Sequence, residues 1–125
     1  MNNTIKLSLL SLFIISVIIS CKKDDEGSLP TVITKDAVQI SAQSAICNAE
    51  VTSDGGTSLL AKGVCWSNSA DPDIDGSHTN NGTETGSFSS SITALSPNTT
   101  YYYRAYATNE NGTAYGESKT FKTTL

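Results

Sequence analysis

The stretch "LSPNTTYYYRAYATN", residues 95–109, indicates the fold more clearly than any other part of the chain. Pro97 and Asn98 are turn-forming residues, and a run rich in tyrosine and alanine follows shortly after them. Side chains of a β-strand point alternately to the two faces of a sheet. One face of this predicted strand would carry Tyr101, Tyr103, Ala105 and Ala107. The other face would carry Tyr102, Arg104 and Tyr106.

The rest of the chain after residue 30 has the same character. It is rich in Thr, Ser, Asn, Gly and β-branched or aromatic residues, and it lacks helical periodicity. Short alternating runs are separated by turn clusters such as "SDGG" (53–56) and "NENG" (109–112), which is typical of an all-β sandwich. We therefore predict one all-β domain of about seven strands. The predicted strands are Thr31–Thr34, Ala45–Thr52, Leu59–Ser67, Ser87–Thr93, Thr100–Thr108 and Lys119–Thr124, with a weaker strand at Ser77–Glu84.

Residues 31–125 resemble a fibronectin type III module, which is an immunoglobulin-like β-sandwich. The likeness lies in four residues at every second position, which lead into the tyrosine-rich strand: Leu95, Pro97, Thr99 and Tyr101. "AEVTSDGG", "KGVCWS" and "YGESKTF" also resemble the type III-like modules of surface lipoproteins in the Bacteroidetes group. The resemblance implies that Tyr101 is a tyrosine corner, with a buried ring and a hydroxyl bonded to upstream backbone, so its face of the strand lies inward. The chain departs from the animal pattern on strand B, where Cys47 and Ala49 replace a tryptophan.

The N-terminal region predicts export. The run "LSLLSLFIISVIIS" (7–20) is apolar but shorter than the roughly 20 residues of a membrane span, so residues 1–20 are interpreted as a signal peptide. "IISC" (18–21) resembles a bacterial lipobox, in which the cysteine receives a diacylglycerol and becomes the acylated first residue. The resemblance implies lipid attachment at Cys21. The alternative is an ordinary secretory signal in which Cys21 is incidental.

Residues 21–30 are predicted to be the lipidated cysteine and a charged tether, followed by the domain at 31–125. Lys22 stands where aspartate would favour inner-membrane retention in enterobacterial sorting, so the resemblance implies delivery to the outer membrane. "KKDDE" (22–26) also resembles the signal that sends Bacteroidetes lipoproteins to the cell surface. The alternative is a solvated, charged tether without a sorting role. We expect an outer-membrane lipoprotein at the cell surface, held to the membrane by acyl chains such as palmitate.

Cys47 and Cys65 make an even pair in an exported chain, which favours a disulfide. By the resemblance they lie on opposite sheets, and a bridge would close a loop of ~18 residues. The alternative is two buried free thiols. Because Cys65 and Trp66 are adjacent, only one of them can point into the core. A disulfide would therefore place Trp66 outward beside Tyr102 and Tyr106, as an aromatic patch suited to a sugar ring or a protein, whereas an inward Trp66 would remove both features.

Few residues suggest other chemistry. Asp71, Asp73 and Asp75 have the acid spacing of a calcium loop, but Gly82 stands at the twelfth position, so no metal site is predicted. His78 is the only histidine, and a lone loop histidine offers no frame for a catalytic triad or a zinc site. We expect no catalysis and no cofactor.

The charge balance argues against nucleic acid as a partner. The formal net charge is −4, and removal of residues 1–20 would take away Lys6 and no acid, which changes the charge to −5. An acidic module with a single arginine lacks the basic surface that phosphate neutralisation requires.

These expectations give the function in outline. We expect a non-catalytic, lipid-anchored surface module for adhesion or for recognition of a glycan or an envelope protein. The alternatives are a structural spacer of the cell envelope with no ligand of its own, and an accessory module to a glycan-processing enzyme or importer. No oligomeric state is predicted.

Overall fold

The computed structural model describes residues 27–125, so the predicted signal peptide, Cys21 and the first part of the tether lie outside the described residues. Seven β-strands form the regular structure of this part: β1 (Thr31–Val38), β2 (Ala45–Ser53), β3 (Ala61–Ser67), β4 (Gly86–Ile92), β5 (Thr100–Asn109), β6 (Gly112–Tyr115) and β7 (Lys119–Lys122). Within residues 27–125 no helix is long and apolar enough to cross a membrane. The predicted all-β class is confirmed.

The strands form two antiparallel sheets. The first sheet has the order β1-β2-β4, and the second has the order β3-β5-β6. β7 pairs with the beginning of β5, on the edge whose later part pairs with β6. The tyrosine-rich strand β5 is therefore the centre of the second sheet, with β3 along its other edge.

Two details differ from the sequence prediction. The prediction omits β6, because its four residues follow directly on the 109–112 turn and are too few for an alternating pattern to show. The weaker strand Ser77–Glu84 is wrong. Its first half follows the free edge of β3, with a hydrogen bond from Thr79 N–H to Val64 O at 2.9 Å, but the only regular bridge there joins Cys65 and His78.

The core lies between the two sheets. The alternate residues of β5 that were expected to point inward are buried there: Tyr101, Tyr103, Ala105 and Ala107. Tyr103 is the largest of the fully buried side chains, and its hydroxyl donates to Lys35 O at 2.7 Å. The ring is thus buried with its polar end hydrogen-bonded, which is the usual condition for a tyrosine in a core.

Two threonine hydroxyls close the sides of the sandwich. On one side, the Thr34 hydroxyl of β1 accepts a hydrogen bond from Ala105 N–H of β5 at 3.0 Å. On the other side, the Thr79 hydroxyl accepts from Val64 N–H at 3.0 Å and lies 2.6 Å from the Ser90 hydroxyl of β4. Each threonine therefore links the two sheets while satisfying a backbone N–H that would otherwise be unpaired.

The first described residues pack against one end of the sandwich. The buried Asn109 side chain donates to Ser28 O and to Asp54 O, both at 2.8 Å, and Ser28 N–H donates to Gly55 O at 2.8 Å. We call this end, formed by residues 27–30 and the turns at 53–56 and 109–112, the N-terminal pole. Residues 27–30, which the sequence prediction assigned to the tether, thus contact the domain.

The last residues lie at the opposite end. Thr124 N–H donates to Ser41 O at 3.1 Å, and Thr124 O accepts from Asn98 N–H at 2.8 Å. We call this end, formed by residues 41–44, 68–76, 94–98 and 123–125, the C-terminal pole. The chain therefore enters and leaves the described domain at opposite poles.

Candidate functional site

A cleft of about 490 Å³ opens at the C-terminal pole. Its walls come from the end of β3, from the loop that follows β3, and from the connection between β4 and β5. Trp66, Asp71, Asp73 and Tyr101 are among its lining residues. The volume falls within the ~300–1,000 Å³ of small-ligand sites. Loops carried at one end of a rigid sandwich are also a common place for binding residues, so this cleft is the candidate site.

Trp66, the only tryptophan of the chain, points towards the core. It pairs with Tyr103, and directly opposed residues of an antiparallel pair share one face of the sheet. The indole is half-buried. It packs against the core cluster that contains Val64, and it also lines the cleft. Of the two orientations considered from the sequence, the structure thus contains the inward one.

The predicted disulfide is contradicted by the structure, because Cys47 and Cys65 lie on different faces. Cys47 joins the core from β2, whereas Cys65 pairs with Arg104 on the outer face of the second sheet. Both cysteines are free and fully buried. Burial raises the pKa of the Cys47 thiol to about 12 and that of Cys65 to about 11, in the second case against the opposing charge of Arg104. Neither is therefore a reactive thiolate at neutral pH.

The predicted aromatic patch of Trp66, Tyr102 and Tyr106 does not form. Tyr102 and Tyr106 lie on the outer face, but Trp66 lies on the inner one. Tyr106 is also only 3% exposed, because its hydroxyl donates to Thr79 O at 2.6 Å and the His78 ring packs edge-on against it at 5.7 Å. Tyr102 keeps part of its surface in solvent.

The loop after β3 is held onto the outer face of the second sheet. Arg104 Nε donates to Pro72 O at 2.7 Å, and the guanidinium carbon lies 4.1 Å from the centre of the Tyr115 ring. The Tyr115 hydroxyl accepts a hydrogen bond from Ile74 N–H at 3.2 Å. Arginine over an aromatic face is a favourable cation–π arrangement. Strand side chains thus fix the loop that forms one wall of the cleft.

Tyr101 fixes the opposite wall. Its ring stacks on Phe121 with a centroid distance of 5.8 Å, and its hydroxyl accepts a hydrogen bond from Ser96 N–H at 2.8 Å. This is the geometry of a tyrosine corner. The turn that carries Ala94 and Leu95 into the cleft is therefore tied to the core through Tyr101.

The backbone is strained at two points of the cleft wall. Asp71 has φ of 57° and Ala94 has φ of 59°, in a region where residues other than glycine are uncommon. Asp71 also precedes Pro72, which disfavours helical conformations of the residue before it. Strained residues cluster at ligand-binding sites, where the surrounding structure enforces them. The Asp–Pro pair is a visible signal in the sequence, whereas nothing in the sequence distinguishes Ala94.

The three aspartates of this loop have different roles. Asp73 Oδ1 accepts from Asp75 N–H at 3.0 Å, and Asp73 O accepts from Gly76 N–H at 3.1 Å, so Asp73 shapes a turn. Asp71 and Asp73 line the cleft, and Asp75 does not. In the part of the chain from residue 27 onward, no three His, Cys, Asp or Glu side chains are placed to hold a metal ion.

The chemistry that the cleft offers is that of binding. Its lining combines the Trp66 indole, the two carboxylates and the polar residues Ser67, Asn68 and Ser77. His78 is exposed, and its Nδ1 lies 2.9 Å from Gly76 O. Such a lining suits a ligand that has an apolar face and several hydroxyl groups.

Comparisons with known proteins support the fold. No protein-family model matches the chain, and no curated protein matches it. Among solved structures, the sensor domain of the anti-sigma factor RsgI4 of Pseudobacteroides cellulosolvens is similar, with a TM-score of 0.55, 20% identity, and coverage of 78% of this chain and 97% of that one. The sixth fibronectin type III domain of human fibronectin type III domain containing protein 3 has a TM-score of 0.53 and 26% identity, covering 78% of this chain and 86% of that one.

These likenesses define the class of the domain. It is a fibronectin type III-like sandwich of the immunoglobulin-like kind, as predicted from the sequence.

Proposed function

We propose that the chain is a non-catalytic recognition module, displayed at the cell surface by acyl chains on Cys21 in the outer membrane, and that it binds a neutral glycan in the cleft of the C-terminal pole. The fold supports a binding role, since this scaffold commonly presents binding loops on a rigid body. The lipobox-like residues 18–21 and the charge run 22–26 support the anchor and its destination.

The observation that carries the proposal is the meeting of Trp66, Asp71 and Asp73 in one cleft. A sugar ring has an apolar face that stacks on an aromatic side chain and hydroxyls that donate to carboxylates. Two carboxylates repel a uronic acid, so the ligand expected here is a neutral oligosaccharide. Walls fixed by Arg104 and Tyr101 favour binding because little order is lost when the ligand enters.

The positions of the poles fit this role. β5 has 10 residues and runs from the C-terminal pole to the N-terminal pole. At the usual rise of a strand this spans ~34 Å. An anchor that joins the domain at the N-terminal pole would therefore direct the cleft away from the lipid surface.

Intrinsic fluorescence tests glycan binding, since Trp66 is the only tryptophan. Neutral hexose or pentose oligosaccharides should shift the emission of Trp66 in a saturable manner and reduce its quenching by iodide. A uronate oligosaccharide of equal length should have no effect. An indole that responds to none of the neutral oligosaccharides would rule out this ligand class for the cleft.

Substitutions in the loop test the location of the site. Asp71→Asn and Asp73→Asn remove a charge and keep a hydrogen-bond acceptor, so the fold should remain and the affinity should fall about tenfold, as for loss of a charged hydrogen bond worth ~1.5 kcal/mol. Asp75→Asn is the matched control, because Asp75 is an exposed carboxylate of the same loop outside the cleft. Equal losses for all three variants would point to the overall charge of the loop and not to the cleft.

Mass spectrometry of the protein extracted from membranes tests the anchor. The mature chain should begin at Cys21 and carry acyl chains, and protease added to intact cells should remove the domain. A water-soluble chain that retains residues 1–20 would refute the anchor. A chain that is acylated but protected from protease would refute display at the surface.

One observation favours a second candidate, a structural spacer of the cell envelope. The described domain begins at one pole and ends at the other, which suits a module that sets a distance. A spacer would leave Trp66 unresponsive to every oligosaccharide, and substitutions of Asp71 and Asp73 would not alter the attachment of cells to glycan-coated surfaces.

A further inference from the structure

We infer that the N-terminal pole is a membrane-contact surface, on which Leu29 and Leu60 rest among zwitterionic lipid headgroups. The inference rests on the proposed acyl anchor at Cys21. It adds a second contact with the same lipid layer, made by the folded domain itself.

The first observation is the exposure of two leucines at this pole. Leu60 is 61% exposed and Leu29 is 45% exposed. Leu60 N–H donates to Thr108 O at 2.7 Å, and Leu29 lies against Gly112, where an added Cβ would come within 3.1 Å of Leu29 Cδ2. Leu60 directly precedes β3 and Leu29 lies against the first residue of β6, and β3 and β6 flank β5 on opposite edges, so both leucines lie at the N-terminal pole.

The second observation is the way in which the chain is fixed at this pole. Asn109, which is 2% exposed, donates both amide hydrogens to carbonyls, those of Ser28 and Asp54. Gly55 has φ of 81°, and a Cβ there would lie 2.2 Å from Ser28 O. The close approach of Ser28 therefore requires glycine at position 55. The chain that leads to Cys21 therefore leaves the domain beside the two leucines.

The third observation is the length of that chain. Five residues, 22–26, separate Cys21 from Gly27, and six steps along the chain reach about 20 Å at full extension. An anchor this short holds the pole at a local concentration of the order of millimolar relative to the lipid. A contact made by two side chains is weak in solution, and the short anchor raises the fraction of time for which it forms.

The size and charge of the pole favour lipid over a second copy of the chain. A stable protein interface buries about 800 Å² on each partner, which two leucines separated by polar residues cannot supply. Asp54 and Glu110 also lie at this pole, and their charges fit neutral headgroups better than anionic ones.

The test uses the acylated full-length mature protein in phosphatidylcholine vesicles that contain brominated lipid. Leu60→Cys is labelled with a fluorophore that reports on polarity, and Leu125→Cys, at the exposed C-terminal residue, is the matched control at the opposite pole. The native Cys47 and Cys65 are fully buried, so the introduced thiol is labelled selectively. The label at position 60 should shift to the blue and be quenched at least twofold more strongly than the label at 125.

Other results would overturn the inference in distinguishable ways. If the protein carries no acyl chains by mass spectrometry, the proposed anchor and this inference both fail. If it is acylated but the labels at positions 60 and 125 respond equally, the membrane contact fails and the anchor stands. If the label at 60 is shielded in detergent micelles as a function of protein concentration, the pole contacts a second copy and not lipid. In the acylated protein, Leu29→Glu should lower the quenching at position 60 at least twofold.

Discussion

The two faces of the β3–β5 sheet differ in how they are buried. On the inner face, Tyr103 and Ala105 are covered by the opposite sheet. On the outer face, Cys65 and Tyr106 are equally buried, but they are covered by the chain between β3 and β4. Alternation along a strand therefore determines which face a side chain occupies, and it does not determine whether that face meets solvent.

The two covers are held by different forces. The inner face is packed by apolar and aromatic side chains, whose burial stabilises in proportion to area. The outer face is covered by hydrogen bonds to backbone carbonyls, from Arg104 to Pro72 O and from Tyr106 to Thr79 O. Each of these hydrogen bonds makes a modest net contribution to stability, since water takes its place when the covering loop opens. We therefore expect the outer cover to open at a lower free energy than global unfolding.

The largest effect is expected on the inner face, for Tyr103→Ala. This variant removes a ring that is 1% exposed and that packs against Phe121, so the free energy of unfolding should fall by about 3–5 kcal/mol, as for other large aromatic truncations. Chemical denaturation measures the loss. Tyr103→Phe is the control for the hydroxyl bond to Lys35 O and should cost about 1 kcal/mol. A loss below 1 kcal/mol for the alanine variant would contradict the assignment of this face to the core.

The next effect is expected on the outer face, for Arg104→Ala. The variant removes the hydrogen bond to Pro72 O and the contact with Tyr115. The free energy that holds the loop closed on the outer face should therefore fall by about 1.5–3 kcal/mol. Under native conditions the modification of Cys65 by a thiol reagent should then accelerate about 10- to 100-fold. Cys47 on the inner face is the control within the same molecule and should keep its rate. Equal acceleration at both thiols would show global destabilisation and would contradict a separate outer cover.

The sequence predicts the inner face better than the outer one for a physical reason. The residues at every second position from Leu95 onward and the alternation in β5 are patterns among neighbouring residues. The class of fold and the inward residues of β5 could therefore be predicted from the sequence. The orientation of Trp66 depends on the register of β3 against β5, more than 30 positions away in the chain. The burial of Tyr106 depends on the path of the chain after β3, which contacts β5 through Arg104 and Pro72 O and through Tyr106 and Thr79 O. The cleft is missed for the same reason, although Asp71–Pro72 marks the strained loop that forms its wall.

The disulfide prediction failed through the same dependence on distant contacts. An even number of cysteines in an exported chain favours a bridge, but the register of β3 against β5 places Cys65 opposite Arg104 on the outer face. Register is set by the whole pairing from Ala61 to Ser67, and a shift of one residue would exchange Cys65 and Trp66 between the faces.

A smaller effect is expected from one buried thiol when the pH rises to about 10. Burial raises the pKa of Cys47 to about 12 and of Cys65 to about 11, from an ordinary value of 9.0. The unfolded chain therefore loses these protons first, so the stabilisation is fully present below pH 9 and is lost as the pH rises from about 9 to 12. Unfolding measured in the presence of a reductant should show this loss.

The Cys47→Ala variant separates the contribution of the Cys47 thiol to the loss of stability at alkaline pH from that of the other titrating groups. At pH 10 the native Cys47 should account for about 1 kcal/mol of the loss, so the variant should lose less stability between pH 8 and 10 than the parent does. Identical pH profiles for the two proteins would show that Cys47 is less buried than the inner face requires.

The smallest effect is expected for Tyr102→Ser. Tyr102 lies on the outer face, is partly in solvent, and is not part of the cleft. The free energy of unfolding should therefore change by no more than about 0.5 kcal/mol, and the response of Trp66 to oligosaccharides should be unchanged. If Tyr102→Ser instead weakened binding as much as Asp71→Asn does, the ligand would contact the outer face of the sheet. The distinction between a covered outer face and an open cleft would then fail at Tyr102, an outer tyrosine that keeps part of its surface in solvent.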